Sequence, residues 1–246
     1  MAGANAAVDY TSGSLILGFR TNSTTTPIFE FNLGLGETFR DNPAVGYLGN
    51  IGTILSDNYG PNWFSSSTLF FGVIGDSSAS DPVNTIYVSQ RRSSATTQAS
   101  APFGVAGTTI GNSLTSFGDL ATTFAAQDAE AGTGNKGVLF SQDTAFLNTW
   151  QDYATAGASM FGINSGQQVF SNNNNQTIAG ITNVEGAVDI FRAVKPDSGN
   201  AAWTYETTIV IRGNGDIYAV PEPTTSVLLA GGMAITLFFR RRRHTS

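Results

Sequence analysis

The acidic side chains are the residues best suited to chemistry in this sequence of 246 amino acids. Two carboxylates held ~5–10 Å apart can cleave a glycosidic bond, one acting as an acid and the other as a base or nucleophile. Seven of the 18 acidic residues are candidates for such a pair: Glu30, Glu37, Asp41, Asp143, Asp152, Asp189 and Glu206. Any chain with this many acids offers such pairs, and the simpler interpretation is that they solvate the surface. A secreted carboxylate-based glycoside hydrolase is therefore the alternative hypothesis for this chain.

Glu30 and Asp189 differ from the other acids because each lies inside a strand pattern, between apolar neighbours. Alternation along a strand predicts that both carboxylates point to a solvated face, opposite those neighbours. We therefore predict that no single acid is essential to a catalytic function. Burial of Glu30 or Asp189 within ~5 Å of a second carboxylate would instead favour the hydrolase.

The residue types that are missing exclude most other catalytic chemistry. There are no cysteines, which excludes disulfides, thiolate nucleophiles, Cys-based zinc sites and iron–sulfur clusters. The single histidine, His244, lies near the end of the sequence, so we expect no Ser-His-Asp triad and no His-based metal site. Residues 128–135 lack the spacing of an EF-hand, and we interpret them as a polar loop after a helix. The sequence predicts neither a cofactor nor a metal.

Residues 220–246 contain three segments in a characteristic order: a Pro-Glu-Pro motif, an apolar run and a basic cluster. The motif is Val220, Pro221, Glu222 and Pro223, the run spans residues 226–239, and the cluster is Arg240, Arg241, Arg242 and Arg243. A helix of fourteen residues is ~21 Å long, which is short of the ~30 Å hydrocarbon core of a bilayer. Arginines after an apolar run keep that end in the cytoplasm. The prolines keep the preceding backbone extended, and extended chain is what a processing enzyme can bind.

Three interpretations of this segment are open: a buried core helix, a permanent membrane anchor and a sorting signal. The four arginines argue against a buried helix, and the short apolar run argues against a permanent anchor. The order of the three parts resembles the PEP-CTERM sorting signal of Gram-negative bacteria, which is recognised by the membrane protease and transpeptidase exosortase. This type of segment is also labelled an ice-binding protein C-terminal domain, a label that implies nothing about ice here.

The resemblance to PEP-CTERM proteins implies an export route on which the protein meets the inner membrane and exosortase, and at the end of which exopolysaccharide is a candidate partner. It implies transport across the inner membrane, transient anchoring in that membrane and processing by exosortase. The product is then expected at the cell surface or in the exopolysaccharide matrix of a biofilm. The residues Val220 to Pro223 would serve as the sorting and cleavage motif, and Arg240 to Arg243 would set the orientation in the membrane.

The same segment sets the predicted domain boundaries. Residues 220–246 are the sorting signal, and residues 8–219 are an extracytoplasmic β-rich domain. Residues 1–7 are interpreted as the remnant of a signal peptide, because Ala4-Asn5-Ala6 fits the small-x-small pattern at its end. Several stretches also resemble the N-terminal half of uncharacterised PEP-CTERM proteins: residues 12–20, 31–34, 49–52, Trp63 and 70–73.

Composition and charge favour an exported β-rich protein. Charged residues make up 12% of the chain, whereas Gly, Ser, Thr and Asn supply 99 residues, so the chain is polar, weakly charged and rich in turn formers. Before Arg240 the chain carries 8 basic and 18 acidic side chains. Such a chain repels phosphate, and nucleic acid is therefore not expected as a partner.

Strand signals dominate the chain before the sorting signal. Seven segments have apolar or alternating patterns between turn residues: Ser14–Phe19, Ile28–Leu33, Thr68–Ile74, Thr85–Gln90, Ala187–Val194, Trp203–Ile211 and Ile217–Val220. Three segments are helical candidates: Gly49–Asn58, Asn112–Ala126 and Thr144–Ala154. In the second, Leu114, Phe117, Ala121, Phe124 and Ala125 form the stripe predicted to face the core. The predicted fold is mainly β, an antiparallel β-sandwich decorated with two or three short helices, plus the C-terminal transmembrane sorting helix.

The leading functional hypothesis is an exported, exosortase-sorted protein of the cell surface or exopolysaccharide matrix, with a structural, adhesive or carbohydrate-binding role and no catalysis. Exposed Thr and Asn side chains can form hydrogen bonds with sugar hydroxyls, and aromatic rings can stack on the sugar. The glycoside hydrolase remains the alternative.

Replacing Pro221 and Pro223 together by Ala should leave membrane insertion intact, because the apolar run and the arginines are unchanged. Release should be blocked, and an immunoblot should show the full-length form accumulating in the membrane fraction. Neutral replacements of Arg240 to Arg243 should instead cause mis-insertion or secretion past the membrane. Equal release of the wild type and the double-Ala variant would contradict the sorting interpretation.

Overall fold

The protein is built around one curled antiparallel β-sheet, with helices packed on it. The computed structural model describes residues 6–21, 23, 25–41, 46–77, 81–92, 94–102, 104, 106–140, 168–170 and 175–221. The strands in these ranges are β1 Ser14–Thr21, β2 Ile28–Leu35, β3 Gly46–Asn50, β4 Leu69–Asp76, β5 Thr85–Arg91, β6 Gly137–Phe140, β7 Gln168–Val169, β8 Gln176–Ile178, β9 Ile181–Val194, β10 Trp203–Arg212 and β11 Asp216–Val220. The helices are α1 Gly36–Asp41, α2 Gly52–Tyr59 and α3 Gly107–Ala125, and a 3-10 turn spans Trp63–Ser65.

The hydrogen-bonded order of the strands is β3-β11-β10-β9-β5-β4-β1-β2-β6, with β7 added to β4 and β8 added to β9. The predicted mainly β, antiparallel fold with a few helices is confirmed, as are all seven predicted strands. Helix α2 confirms the prediction over 49–58, and α3 begins five residues earlier than predicted. The third predicted helix, Thr144–Ala154, and the predicted sorting helix lie outside the described residues.

The concave face of the sheet encloses the larger core, which is rich in aromatic rings. Phe19 stacks on Phe29 with 5.8 Å between ring centroids, and Phe71 lies 4.6 Å from Phe170. The Trp63 ring meets Phe170 edge-on at 5.0 Å. These rings come from β1, β2, β4 and two connecting segments, and the same core includes side chains of β9, β10 and β11. The core therefore contains residues from both halves of the sheet, as in a sandwich.

The curl brings the two ends of the strand order close together. A Cβ added at Gly49 on β3 would lie 2.9 Å from the ring of Phe31 on β2. Lys136, just before β6, donates from Nζ to the carbonyl oxygen of Leu48 on β3. These contacts place strands from the two ends of the strand order next to each other.

The outer face of the sheet is covered by α3, which forms a second core with it. The buried residues of α3 are Ile110, Ser113, Phe117, Leu120, Ala121 and Phe124. The predicted stripe was right for Phe117, Ala121 and Phe124, and Leu114 is partly buried. Ala125 is exposed, whereas Leu120 is buried. Each residue advances ~100° around a helix, so Ala125, the residue after Phe124, points away from the buried stripe.

The prediction that Glu30 and Asp189 point to solvent is wrong, since both residues are 0% exposed. Alternation does place them on the face opposite their apolar neighbours. That face is itself covered, however. Side chains that alternate along these strands therefore point to two buried faces, and not to one buried and one solvated face. Ile28, which shares the outer face of β2 with Glu30, belongs to the core beneath α3.

Asp189 is held by a buried ion pair. Its Oδ1 accepts bonds from Nη1 of Arg92 at 2.7 Å and from Oγ1 of Thr208 at 2.6 Å, and its Oδ2 accepts one from the backbone N–H of Ala99 at 2.6 Å. The side chains of Arg92 and Asp189 are 3% and 0% exposed. The partner of Asp189 is thus the guanidinium of Arg92, in a buried ion pair.

Asp189→Ala should lower the free energy of unfolding by about 3–5 kcal/mol, because it leaves the Arg92 charge buried without its partner. Asp41→Ala is the matched control, since Asp41 also pairs with an arginine, Arg40, but is exposed; it should leave the stability unchanged. Urea unfolding followed by circular dichroism measures both. Equal losses in the two variants would contradict the structural role of the buried pair.

Candidate functional site

Antiparallel pairing places the strand ends at two opposite poles of the sheet. Strand β11 ends at Val220 at one pole, where it lies beside Gly46 at the start of β3. We call this the tail pole, because the residues of the sorting segment begin there. The turn that joins β10 to β11 lies at the other end, beside Asn50 at the end of β3. We call this the hairpin pole.

At the tail pole the sorting motif begins inside the sheet. Val220 pairs with Thr208 and is 5% exposed, and its carbonyl oxygen accepts a bond from Oγ1 of Thr207 at 3.2 Å. Pro221 is exposed. The remaining predicted sorting residues, Glu222, Pro223, Arg240, Arg241, Arg242 and Arg243, lie outside the described residues. The motif thus starts directly at the last strand, without a linker.

At the hairpin pole a groove of about 340 Å³ opens between α2 and the β10–β11 turn. Its polar lining consists of Asn50, Thr53, Ser56, Asp57 and Asn214, and its other lining residues are Gly52, Pro61, Trp63, Phe64 and Gly213. The chain reaches this pole at the end of β3 and turns into α2 there, which is why one helix and one hairpin share the site. No sequence motif pointed to this groove, because its residues come from segments ~150 positions apart.

The rim of the groove is held by side-chain amides. Nδ2 of Asn50 donates to the carbonyl oxygen of Asn214 at 3.0 Å and to Oδ1 of Asp216 at 2.8 Å. Nδ2 of Asn214 donates to Oδ2 of Asp216 at 2.8 Å. Oδ1 of Asn50 accepts a bond from the N–H of Gly52 at 3.0 Å. These bonds hold the rim in one arrangement, which lowers the entropy cost of binding a ligand.

Two glycines let the hairpin approach α2 this closely. A Cβ at Gly52 would collide with the carbonyl oxygen of Asn214, and a Cβ at Gly215 would collide with the backbone of Gly52. Gly215 also has φ +87°, a conformation that other residues rarely adopt. The backbone N–H of Ile51 donates to the Gly215 carbonyl at 3.0 Å and closes the contact.

The apolar wall of the groove is Trp63 with Phe64, whose rings meet edge-on at 5.7 Å. Trp63 is 2% exposed and is anchored in the main core, whereas Phe64 is half-buried. A ligand therefore reaches mainly the ring of Phe64, while Trp63 keeps that ring in place.

A second polar cluster lies at the tail pole, beneath α1. Asp81 accepts bonds from Nη1 of Arg40 and, at 2.9 Å, from the hydroxyl of Tyr87. Glu206 accepts a bond from Nε of Arg192 at 2.7 Å. Burial raises the pKa of the Glu206 carboxyl, and the Arg192 bond opposes that shift. Burial and the bond to Asp81 raise the pKa of the Tyr87 hydroxyl.

The predicted acids differ in how far they are exposed to solvent. Glu206 was expected to solvate the surface and is instead buried, while Glu37 is half-buried and Asp41 is exposed. Asp143 and Asp152 lie outside the described residues. Asp81 was missed because its turn-rich surroundings in the sequence resemble a solvated loop. Only tertiary structure brings Arg40 and Tyr87 to it.

The stretch 128–135 forms turns after α3, as predicted, and Oγ1 of Thr133 donates to the carbonyl of Glu130 at 2.7 Å. Within the described part of the chain, no three acidic or histidine residues come together in a group that could hold a metal ion. In the same residues, no helix combines the length and the apolar character needed to cross a membrane.

The described residues form a β-rich domain whose last strand, β11, runs into the proline-containing segment that begins at Val220. The chain resembles PEP-CTERM proteins: the family model of the PEP-CTERM protein-sorting motif matches residues 219–243. No curated protein and no solved structure shows a significant match to the chain. The likeness of the N-terminal half to uncharacterised PEP-CTERM proteins stays a prediction.

The matched motif supplies the broad function. A protein with this motif is exported and sorted to the cell surface, and exosortase is its processing partner. The motif carries no information about what the domain in front of it binds.

Gly52→Ala and Gly215→Ala should each lower the free energy of unfolding by about 1–3 kcal/mol, because the added methyl group forces the hairpin away from α2. Gly118→Ala is the control: this helical glycine has open space around its Cβ position, and Ala should stabilise α3 by up to ~1 kcal/mol. Urea unfolding of the three variants tests this. Similar stabilities for Gly52→Ala and Gly118→Ala would show that the close approach is absent in solution.

Proposed function

We propose that this exported protein is a non-catalytic carbohydrate-binding protein of the cell surface or exopolysaccharide matrix, and that the groove at the hairpin pole is its binding site. The observation that carries the proposal is the groove lining, in which uncharged hydrogen-bonding side chains lie beside an aromatic wall. Its volume falls within the ~300–1,000 Å³ typical of ligand pockets.

The position of the groove supports a role for a protein attached by its tail. The five residues of β11 separate the groove from Val220 by ~13 Å of extended strand. A chain held at Val220 therefore presents the hairpin pole away from its attachment. Material outside the cell meets the groove first.

The lining matches the chemistry of sugar hydroxyls, which both donate and accept hydrogen bonds. The N–H groups of Asn50 are used in the rim, but the amide oxygens of Asn50 and Asn214 each have a second lone pair to accept a bond. The hydroxyls of Thr53 and Ser56 can donate or accept. The half-buried Phe64 offers an apolar surface for the C–H groups of a pyranose ring.

The charge of the lining favours a neutral glycan. Asp57 is the one charged side chain among the described lining residues. Arg212, which lies at the same pole at the end of β10, bonds to Asp216 at 3.4 Å. A uronic acid or sulfated sugar would meet a carboxylate without a compensating base, which disfavours binding.

The glycoside hydrolase is the second candidate function, and the cluster at the tail pole is the observation in its favour. Asp81 and Glu206 are both 7% exposed, burial and, to a smaller extent, the charge of Asp81 raise the pKa of Glu206, and a raised pKa is what a general acid needs. Each carboxylate, however, accepts a bond from an arginine. Both are thus members of ion pairs within the fold, so we favour a structural role for this cluster.

The test uses the full-length chain on an array of neutral and acidic glycans that includes the host exopolysaccharide. Wild type should bind neutral glycans. Thr53→Trp, at an exposed helical position in the groove, should fill the groove and weaken binding at least tenfold. Thr115→Trp, at an exposed helical position on α3, is the matched control and should bind as wild type does.

Equal binding by wild type and Thr53→Trp would contradict the groove as the site. A reducing-end assay on the same glycans separates the two functions. Hydrolysis that is lost in Glu206→Gln but kept in Thr53→Trp would support the hydrolase and overturn the binding proposal.

A further inference from the structure

The last strand and the sorting motif share two residues. The family model begins at residue 219, whereas β11 continues to Val220. Ala219 and Val220 therefore belong both to the folded sheet and to the segment that the family model matches.

The fold holds these two residues from several sides. Ala219 pairs with Ile209 on β10 and with Gly46 on β3, so this end of β11 is an interior strand. Val220 pairs with Thr208. The two side chains are 1% and 5% exposed, in the concave core and in a smaller outer cluster.

Thr207 adds the final contact. It is 0% exposed, and its Oγ1 donates to the carbonyl oxygen of Val220 at 3.2 Å. This bond joins β10 to the last residue of β11. We call the set formed by Thr207, Ala219 and Val220 the β11 latch.

We propose that exosortase engages its motif only when the β11 latch opens, and that Thr207 is the positioning residue that sets how often it opens. Peptides that bind as extended segments commonly pair their backbone N–H and C=O groups with the protein that receives them. Ala219 and Val220 already pair with β10, and the carbonyl oxygen of Val220 already accepts the Thr207 bond. Processing then follows local opening at the end of β11, and the rest of the domain stays folded.

The decisive variant gives the enzyme a free copy of the shared residues. Inserting Gly-Ser-Ala-Val between Val220 and Pro221 keeps the latch intact and places a second Ala-Val directly before the Pro-Glu-Pro. Full-length chains are expressed behind one secretion signal in a Gram-negative host that contains exosortase, and release is followed by pulse-chase. The insertion variant should be released at least fivefold faster than wild type.

Thr207→Val tests the positioning residue itself. Loss of one ordinary hydrogen bond shifts a local opening equilibrium about fivefold, so release should accelerate by that factor. Thr207→Ser restores the hydroxyl and should rescue the wild-type rate. Ile110→Val, a core change in α3 far from β11, lowers global stability by a similar amount and should leave release unchanged.

Equal release of wild type and the insertion variant would overturn the proposal, because the enzyme would then need nothing before Pro221. Equal acceleration in Thr207→Val and Ile110→Val would also overturn it, since the rate would then follow global stability. If Thr207→Val does not fold, the insertion variant still decides, because every described contact of the latch is kept.

Discussion

Burial of both faces of the β-sheet is the constraint on which the rest of this structure depends. The concave face encloses an aromatic core, and the outer face is covered by α3 and by the chain around β8. A sheet covered on both sides leaves its strand interiors no contact with water. Polar side chains on those strands must therefore find partners within the protein, and solvent-facing features are displaced to the two poles.

The acids show this consequence most directly. Asp189 lies under the outer cover and pairs with Arg92, and Glu206 pairs with Arg192 on the neighbouring strand. A buried carboxylate without a cation would cost several kcal/mol. Although this chain has few charged residues, Arg92 and Arg192 therefore lie beside buried carboxylates. Two of the seven candidate acids, Asp189 and Glu206, are thus members of ion pairs within the fold.

The poles divide the remaining functions. At the tail pole the last strand runs without a linker into the segment that matches the PEP-CTERM sorting motif, so folding and processing meet at Val220. At the hairpin pole, two glycines and an amide network form a groove at the opposite end of β11 from Val220. Since antiparallel strands end at opposite sides of a sheet, attachment and proposed recognition do not compete for space.

The mainly β fold and seven strand positions could be predicted from the amino-acid sequence, as could most of the α3 core stripe and the sorting segment. Each of these depends on a local period or a contiguous motif. The sequence by itself did not determine the burial of Glu30, the Asp81–Tyr87 contact or the groove between Asn50 and Asn214. Alternation reports only which side of a strand a residue occupies, and the curl of the sheet decides what covers that side. Contacts between distant segments depend on strand order, which long-range burial selects and no local pattern encodes.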